Sequence, residues 1–267
     1  MTPFDDRLGA AVAGRGPLCV GIDPHPELLT AWGLPVDPGG LERFALTAVT
    51  AVAGEVAVVK PQSAFFEAFG SPGVAVLERV IAAAQAAGAL VLVDVKRGDI
   101  GSTMAAYAAA YLGDSSPLAG DAVTLSPYLG FGSLDPAIEL AERTGRGVFV
   151  LARTSNPEGA QVQHAAGPDG RTVAQAVVDA AAARGVGVVV GANLGATGLD
   201  LSELRGPILA PGFGSQGGTV ADLRAAFGAN LPQVLASTSR AVLRHGPDPD
   251  ALRSAVLNVR DSLAAML

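Results

Sequence analysis

Short runs of apolar residues alternate along this chain with longer, alanine-rich segments. The short runs are nearly all apolar, with no regular alternation of apolar and polar positions, which is typical of parallel strands covered on both faces. The pattern therefore predicts repeated strand–helix units around a parallel sheet. Eight strands are predicted, over residues 17–23, 55–60, 89–95, 121–125, 147–152, 186–190, 207–210 and 233–236.

Helices are predicted in most of the segments between these strands. The predicted helices cover residues 40–54, 72–88, 102–112, 133–145, 171–185, 218–227 and 248–266. The run 200–206 is too short for a full helix, so the connection between the sixth and seventh strands is weakly defined. Eight units without a break in composition predict a (β/α)8 TIM barrel, with residues 1–267 as a single catalytic domain. A doubly wound open sheet is the alternative, but DPHPELL follows the first strand where that fold has a GxGxxG turn.

The composition restricts the classes of function. Charged residues make up only 16% of the chain, and the net charge of −7 argues against a nucleic-acid-binding surface. No run reaches the roughly 18 apolar residues of a membrane span, and residues 1–16 lack a secretory signal pattern. With Cys19 as the lone cysteine, we expect a cytoplasmic protein without nucleic-acid or membrane partners. His25, His164 and His245 lie far apart and predict no zinc site.

Polar or conformationally unusual residues follow nearly every predicted strand. In a TIM barrel, reactive side chains collect at these carboxyl ends of the strands. The residues at the predicted ends are Asp23, Lys60, Asp94, Lys96, Ser126, Arg153, Asn193, Pro211, Gly212, Ser239 and Arg240. We therefore expect the active site at this end of the barrel.

Lysine is almost absent from the chain. Of the 18 lysine and arginine residues, only Lys60 and Lys96 are lysines, and each ends an apolar run. Because arginine does not lose its proton near neutral pH, two positions that keep lysine indicate amine chemistry. Chance survival of two lysines at strand ends is the alternative.

A charged cluster follows the third predicted strand, in VLVDVKRGDIGST. Residues i and i+2 of a strand share a face, so Asp94 and Lys96 would both point into the barrel mouth, where Lys60 could reach them. Alternating carboxylates and ammonium groups in a desolvated pocket keep one another ionised. A purely structural ion-pair network is the alternative, although such a network is rarely worth its desolvation cost.

The segment DVKRGDIGST resembles the D-x-K-x-x-D signature of orotidine 5′-phosphate decarboxylases, in the form with an arginine after the lysine. The similarity continues in order through LCVGIDP, VVKPQSAFFE, TLSPYLG, ARTSNP, ILAPGFGSQGG and ASTSRAV, and is greatest to the bacterial subgroup with longer loops. The resemblance implies decarboxylation of orotidine 5′-phosphate to UMP, the last step of de novo pyrimidine synthesis. It also implies that the reaction needs neither a metal nor an organic cofactor.

The resemblance further implies the roles of the charged residues. Lys96 would protonate C6 of the pyrimidine as the carboxylate leaves, and Asp94 would lie beside that carboxylate. Lys60 and Asp99 would complete a Lys-Asp-Lys-Asp array and contact the ribose hydroxyls. In a homodimer, the residues expected to complete the neighbouring subunit's site are Asp99, Ile100 and Thr103.

A phosphate site is predicted at the last two strand ends. PGFGSQGG, at 211–218, lets backbone N–H groups approach an anion closely, and Arg240 can clamp a phosphate bidentately. By resemblance, Gln216 reaches the phosphate or the pyrimidine edge, Ser126 hydrogen-bonds the base and Asp23 lies near the ribose. An aspartate before proline is also a common turn former. The other predicted substrate-binding residues are Pro211, Gly217, Gly218 and Ser239.

Three other functions fit parts of this pattern. A magnesium-dependent sugar-phosphate lyase of the same suprafamily shares D-x-K-x-x-D, but Arg97 and the SPYLG and GSQGG segments favour the nucleotide enzyme. A Schiff-base aldolase could use Lys60 or Lys96. A catalytically inactive nucleotide-binding barrel is the third, and the complete charged array argues against it.

Overall fold

Eight parallel strands pair in chain order, and the eighth closes the sheet by pairing with the first. The computed structural model describes residues 2–214 and 218–264. The strands are β1 Leu18–Ile22, β2 Val58–Pro61, β3 Leu90–Arg97, β4 Ala122–Leu125, β5 Gly147–Arg153, β6 Gly187–Val190, β7 Ile208–Pro211 and β8 Val234–Thr238. The predicted (β/α)8 TIM barrel is confirmed, and each strand overlaps a predicted one.

Helices surround the barrel. In chain order they are α1 Phe4–Arg15, α2 Pro26–Ala31, α3 Pro38–Val52, α4 Ser63–Glu67, α5 Gly70–Ala86, α6 Gly101–Leu112, α7 Asp135–Thr144, α8 Ala160–Gln163, α9 Val173–Arg184, α10 Val220–Phe227, α11 Arg240–Leu243 and α12 Pro249–Ala264. As the short run 200–206 predicted, residues 191–207, all of which the structure describes, form no helix between β6 and β7. Five helices were not predicted, namely α1, α2, α4, α8 and α11.

Helix α1 closes the end of the barrel where the strands begin. Its buried Phe4, Leu8 and Ala11 belong to one apolar cluster with residues near the starts of the strands, such as Ala122 and Leu235. The Phe4 ring meets the Phe149 ring edge-on, with centroids 6.0 Å apart. The opposite end of the barrel, where the strands finish, is left for the site.

Strand β3 runs two residues past its predicted end and is irregular there. From Val93 to Arg97 it advances four positions, while its partner β4 advances two, from Val123 to Leu125. Within this bulge Lys96 has a φ of 47°, in the left-handed region that L-residues other than glycine rarely adopt. Lys96 is the one non-glycine residue with positive φ in the described part of the chain.

Candidate active site

A cavity of about 420 Å³ opens at the carboxyl ends of the strands. Half of the predicted site residues line it, and they come from the ends of β1, β2, β3, β7 and β8. These residues are Asp23, Lys60, Asp94, Lys96, Pro211, Ser239 and Arg240. The position agrees with the general rule for TIM barrels.

The Asp94 carboxylate is the centre of the site. It is 5% exposed and accepts four hydrogen bonds from side chains. Lys60 Nζ and Gln62 Nε2 donate to Oδ2 at 2.9 and 3.2 Å. Lys96 Nζ and Thr124 Oγ1 donate to Oδ1 at 2.6 and 2.8 Å. Two ammonium groups thus flank one carboxylate, as the charged cluster predicted, while Gln62 and Thr124 were missed.

Lys60, Asp94 and Lys96 form a charged triad, in which burial and neighbouring charges act in opposite directions on the pKa values of Asp94 and Lys60. Burial alone would raise the pKa of Asp94, but the Lys60 and Lys96 ammonium groups hold that pKa well below its usual range. Burial would likewise lower the pKa of Lys60, yet the charges of Asp94 and Asp23 raise it above its ordinary value. Both Asp94 and Lys60 are therefore ionised at neutral pH.

The two lysines differ in their access to the cavity. The Lys60 side chain is 7% exposed, and its Nζ lies 2.9 Å from Asp94 and 4.0 Å from Asp23 Oδ1. The Lys96 side chain is 44% exposed although its Nζ contacts Asp94. Lys96 is therefore the amine best placed to exchange a proton with a bound molecule, and Lys60 is enclosed by carboxylates.

Several buried polar atoms around the cavity have no hydrogen-bond partner within the described residues. They are Asp23 Oδ1, Thr238 Oγ1 and Ser239 Oγ. Buried polar atoms in folded proteins are normally hydrogen-bonded, so these three are suited to a polar ligand or to ordered water.

The predicted phosphate loop is described only in part. Gly212 and Gly214 have positive φ values of 100° and 79°, which the absence of a side chain permits. Gly218 N donates to Gly212 O at 3.2 Å, which brings the two ends of the loop together. Arg240 begins α11 and lines the cavity. Gln216 and Gly217 lie outside the described residues.

Gly218 does not line the cavity, and neither do four other predicted residues: Asp99, Ile100, Thr103 and Ser126. Asp99 Oδ1 accepts a 2.8 Å bond from Ile100 N, and Ile100 is 62% exposed. Ser126 N donates to Arg97 O at 2.8 Å. The roles of these four residues stay predictions.

Sequence reasoning also missed, or left open, part of the cavity wall. His25 lines the cavity and packs against the Phe65 ring, with centroids 4.2 Å apart. Arg153 and Asn156 line it as well, and Arg153 donates to the carbonyl oxygen of Thr197. ARTSNP at the end of β5 was the available signal, because polar side chains there follow an apolar strand.

Residues 2–214 and 218–264 contain no group of three or more His, Cys, Asp or Glu side chains that could hold a metal ion. None of the helices in the same ranges is both long and apolar enough to cross a membrane.

The fold and the site define an enzyme of the (β/α)8 class, with its charged centre at the carboxyl ends of the strands. Residues 16–255 match the model of the orotidine 5′-phosphate decarboxylase / HUMPS family. The chain belongs to this family, which confirms the resemblance of DVKRGDIGST and the other segments.

Relatives with curated names agree over the whole length. An orotidine 5′-phosphate decarboxylase of Salinispora tropica is 61% identical, over 100% of this chain and 99% of its own. That of Streptomyces coelicolor is 58% identical, over 96% and 95%. A crystal structure of a Streptomyces avermitilis protein assigned to the same activity covers 100% of this chain and 96% of its own, with 56% identity and a TM-score of 0.97.

Proposed function

We propose that this enzyme decarboxylates orotidine 5′-phosphate to uridine 5′-phosphate and CO2, the last step of de novo pyrimidine synthesis. The observation that carries the proposal is the array of Lys60, Asp94 and Lys96 in the cavity. Relatives about 60% identical over the full chain carry this activity in their names.

The geometry supports a mechanism of fixed charges. As the bond between C6 and the carboxylate breaks, its electron pair stays on C6 as a carbanion. The Lys96 ammonium stabilises that charge without reorganisation and then transfers its proton to C6. Asp94 holds this ammonium in place through the 2.6 Å bond, and its own negative charge faces the departing carboxylate.

The ends of the nucleotide are assigned to opposite parts of the cavity. We assign the ribose hydroxyls to Lys60 and Asp23, because the buried Oδ1 of Asp23 has no hydrogen-bond partner among the described residues. We assign the phosphate to Arg240 and the glycine-rich loop, because a guanidinium binds phosphate bidentately and glycine lets the backbone approach an anion closely. Ser239, Pro211 and Gly218 accompany Arg240 in this assignment, as do Gln216 and Gly217.

The magnesium-dependent sugar-phosphate lyase is the alternative that a chelator tests. We expect full decarboxylation of orotidine 5′-phosphate in excess EDTA, because ammonium groups supply the positive charge at the reacting carbon. Release of CO2 is measured with and without EDTA, and a magnesium-dependent enzyme in the same buffer verifies the chelation. Loss of activity in EDTA would contradict the metal-free mechanism.

We also propose that a homodimer completes each site, with Asp99, Ile100 and Thr103 reaching into the neighbouring subunit. The proposal is supported by their position outside their own cavity and by the exposed apolar side chains nearby. These apolar side chains are Ile100, Tyr128 and Leu129, which are 62%, 78% and 53% exposed. Burying such a patch between two copies would remove apolar surface from water.

A mixing experiment tests the shared site. Inactive Lys96→Ala and Asp99→Ala chains are mixed in equal amounts so that subunits exchange. About half of the dimers then contain one chain of each kind, and one of the two sites in each such dimer is intact. The mixture is therefore expected to regain about a quarter of wild-type activity. The matched control mixes Lys96→Ala with Lys60→Ala, which lie in one site and should not complement. No recovery in the first mixture would rule out sharing of Asp99.

Two broader assignments accompany this function. We propose that residues 1–267 form a single catalytic domain, which is supported by eight strands that close into one barrel between Leu18 and Thr238. A cytoplasmic location agrees with the lone buried Cys19.

A further inference from the structure

The backbone conformation of the bulge in β3 has to be stabilised by neighbouring groups. A left-handed φ of 47° at Lys96 is unfavourable for a residue with a β-carbon, and such a conformation persists only where its surroundings impose it. The register of the pairing between β3 and β4 also shifts between Val93 and Arg97. The backbone N–H groups in this stretch therefore need hydrogen-bond acceptors other than the carbonyl groups of a regular β4 pairing.

Thr124 supplies those partners with a single oxygen. Its Oγ1 accepts the N–H of Val95 at 3.1 Å and the N–H of Lys96 at 3.0 Å. Its hydroxyl group donates a hydrogen bond to Asp94 Oδ1 at 2.8 Å. Both acceptor positions and the one donor of the hydroxyl are therefore in use, and the side chain is only 1% exposed.

The outer side of the bulge is anchored separately. Arg97 Nη2 lies 2.7 Å from Glu67 Oε1, and its guanidinium stacks over the Tyr107 ring at 5.5 Å. Arg97 therefore fixes the strand on the helical side, while Thr124 fixes it on the cavity side. Of the two, only Thr124 also contacts the carboxylate that binds Lys96.

We propose that Thr124 is a positioning residue for the proton donor, an inference that rests on the proposed decarboxylation. One hydroxyl sets both the backbone conformation of Lys96 and the orientation of the Asp94 carboxylate. The ammonium and its counterion are thereby held in a single geometry before substrate binds. Pre-organisation of this kind lowers the barrier of the chemical step and leaves nucleotide binding largely unchanged.

The test compares Thr124→Val, which keeps the shape and removes the hydroxyl, with Thr124→Ser, which keeps the hydroxyl. For Thr124→Val we expect kcat to fall roughly 10- to 100-fold, as for loss of a hydrogen bond to a charged group, with KM within about threefold. Affinity for UMP, measured by calorimetry, should change as little as KM. Thr124→Ser is expected to recover most of the lost turnover.

Thr144→Val is the matched control, because the Thr144 hydroxyl bonds backbone carbonyls of its own helix at 2.9 and 3.4 Å, outside the cavity. It should retain wild-type kcat. If Thr124→Val does not fold, Thr124→Ala makes the same comparison, because it removes the hydroxyl without placing a methyl group against Asp94.

The outcomes separate this inference from the function on which it rests. An inactive wild-type enzyme would refute the decarboxylation itself. Active wild type with an unchanged kcat in the folded hydroxyl-free variant would refute the role of Thr124. An equal loss in Thr124→Ser and the hydroxyl-free variant would show that packing, and not the hydroxyl, matters, which would also overturn the inference.

Discussion

Replacement of Lys96 by alanine is expected to lower the turnover of orotidine 5′-phosphate by about four orders of magnitude or more, because under the proposed mechanism the variant loses both its general acid and the charge that stabilises the carbanion. Affinity for UMP should stay within about tenfold, since the phosphate contacts proposed for Arg240 would supply much of the binding energy. Turnover is measured by CO2 release under single-turnover conditions, and binding by calorimetry.

A second variant separates charge from proton transfer. Lys96→Arg keeps a positive charge but does not release a proton near neutral pH, so it should be nearly as inactive as Lys96→Ala. Turnover in Lys96→Ala within tenfold of wild type would contradict the role of Lys96 as proton donor. High activity in Lys96→Arg alone would mean that charge without proton transfer is sufficient.

Replacement of Asp94 by asparagine is expected to abolish turnover and also to lower the free energy of unfolding. The change leaves the Lys60 ammonium, 7% exposed, without its nearest counterion at 2.9 Å. Breaking a buried pair by removing one partner costs about 3–5 kcal/mol. Urea unfolding of wild type and variant at one fixed protein concentration measures the difference.

The pH dependence of that difference follows from the lowered pKa of Asp94. A carboxyl group whose pKa is lower in the folded state contributes stability above its unfolded pKa, about 4, and loses it as the pH falls toward the folded value. The difference between wild type and Asp94→Asn should therefore shrink below about pH 4.

A surface ion pair provides the control for this measurement. Glu42 pairs with Arg79 at 2.7 Å, but both side chains are more than a third exposed. Glu42→Gln should cost no more than about 1 kcal/mol. A cost for Asp94→Asn as small as that of Glu42→Gln would contradict a stabilising role for the buried triad.

The sequence predicted the barrel because its strands are nearly continuous apolar runs that alternate with helical segments. Helix α1 was missed, although Phe4, Leu8 and Ala11 recur at helical spacing and Asp5 and Asp6 stand in its first turn. Those signals are weak in a segment where apolar and charged residues nearly balance. The short helices α2 and α8 lie in long loops, where tertiary contacts and not local pattern determine the conformation.

The charged centre was predictable because strand ends of a closed barrel meet at one place. Lys60 and Asp94 lie 34 positions apart in sequence, yet the adjacent ends of β2 and β3 bring them within 2.9 Å. The bulge at Lys96 could not be predicted in the same way, because it depends on the register between β3 and β4. Thr124 acquires its role only through that register, and by itself it is an ordinary strand threonine.

The closure of one end of the barrel by α1 determines where substrate can enter and where products can leave. Because apolar side chains of α1 fill the end where the strands begin, the cavity communicates with solvent from the other end. Under the proposed function, substrate enters and both products leave through the same opening, at the carboxyl ends of the strands. Under the proposed function CO2 forms beside Asp94, so it would leave either past the bound nucleotide or after the nucleotide has left.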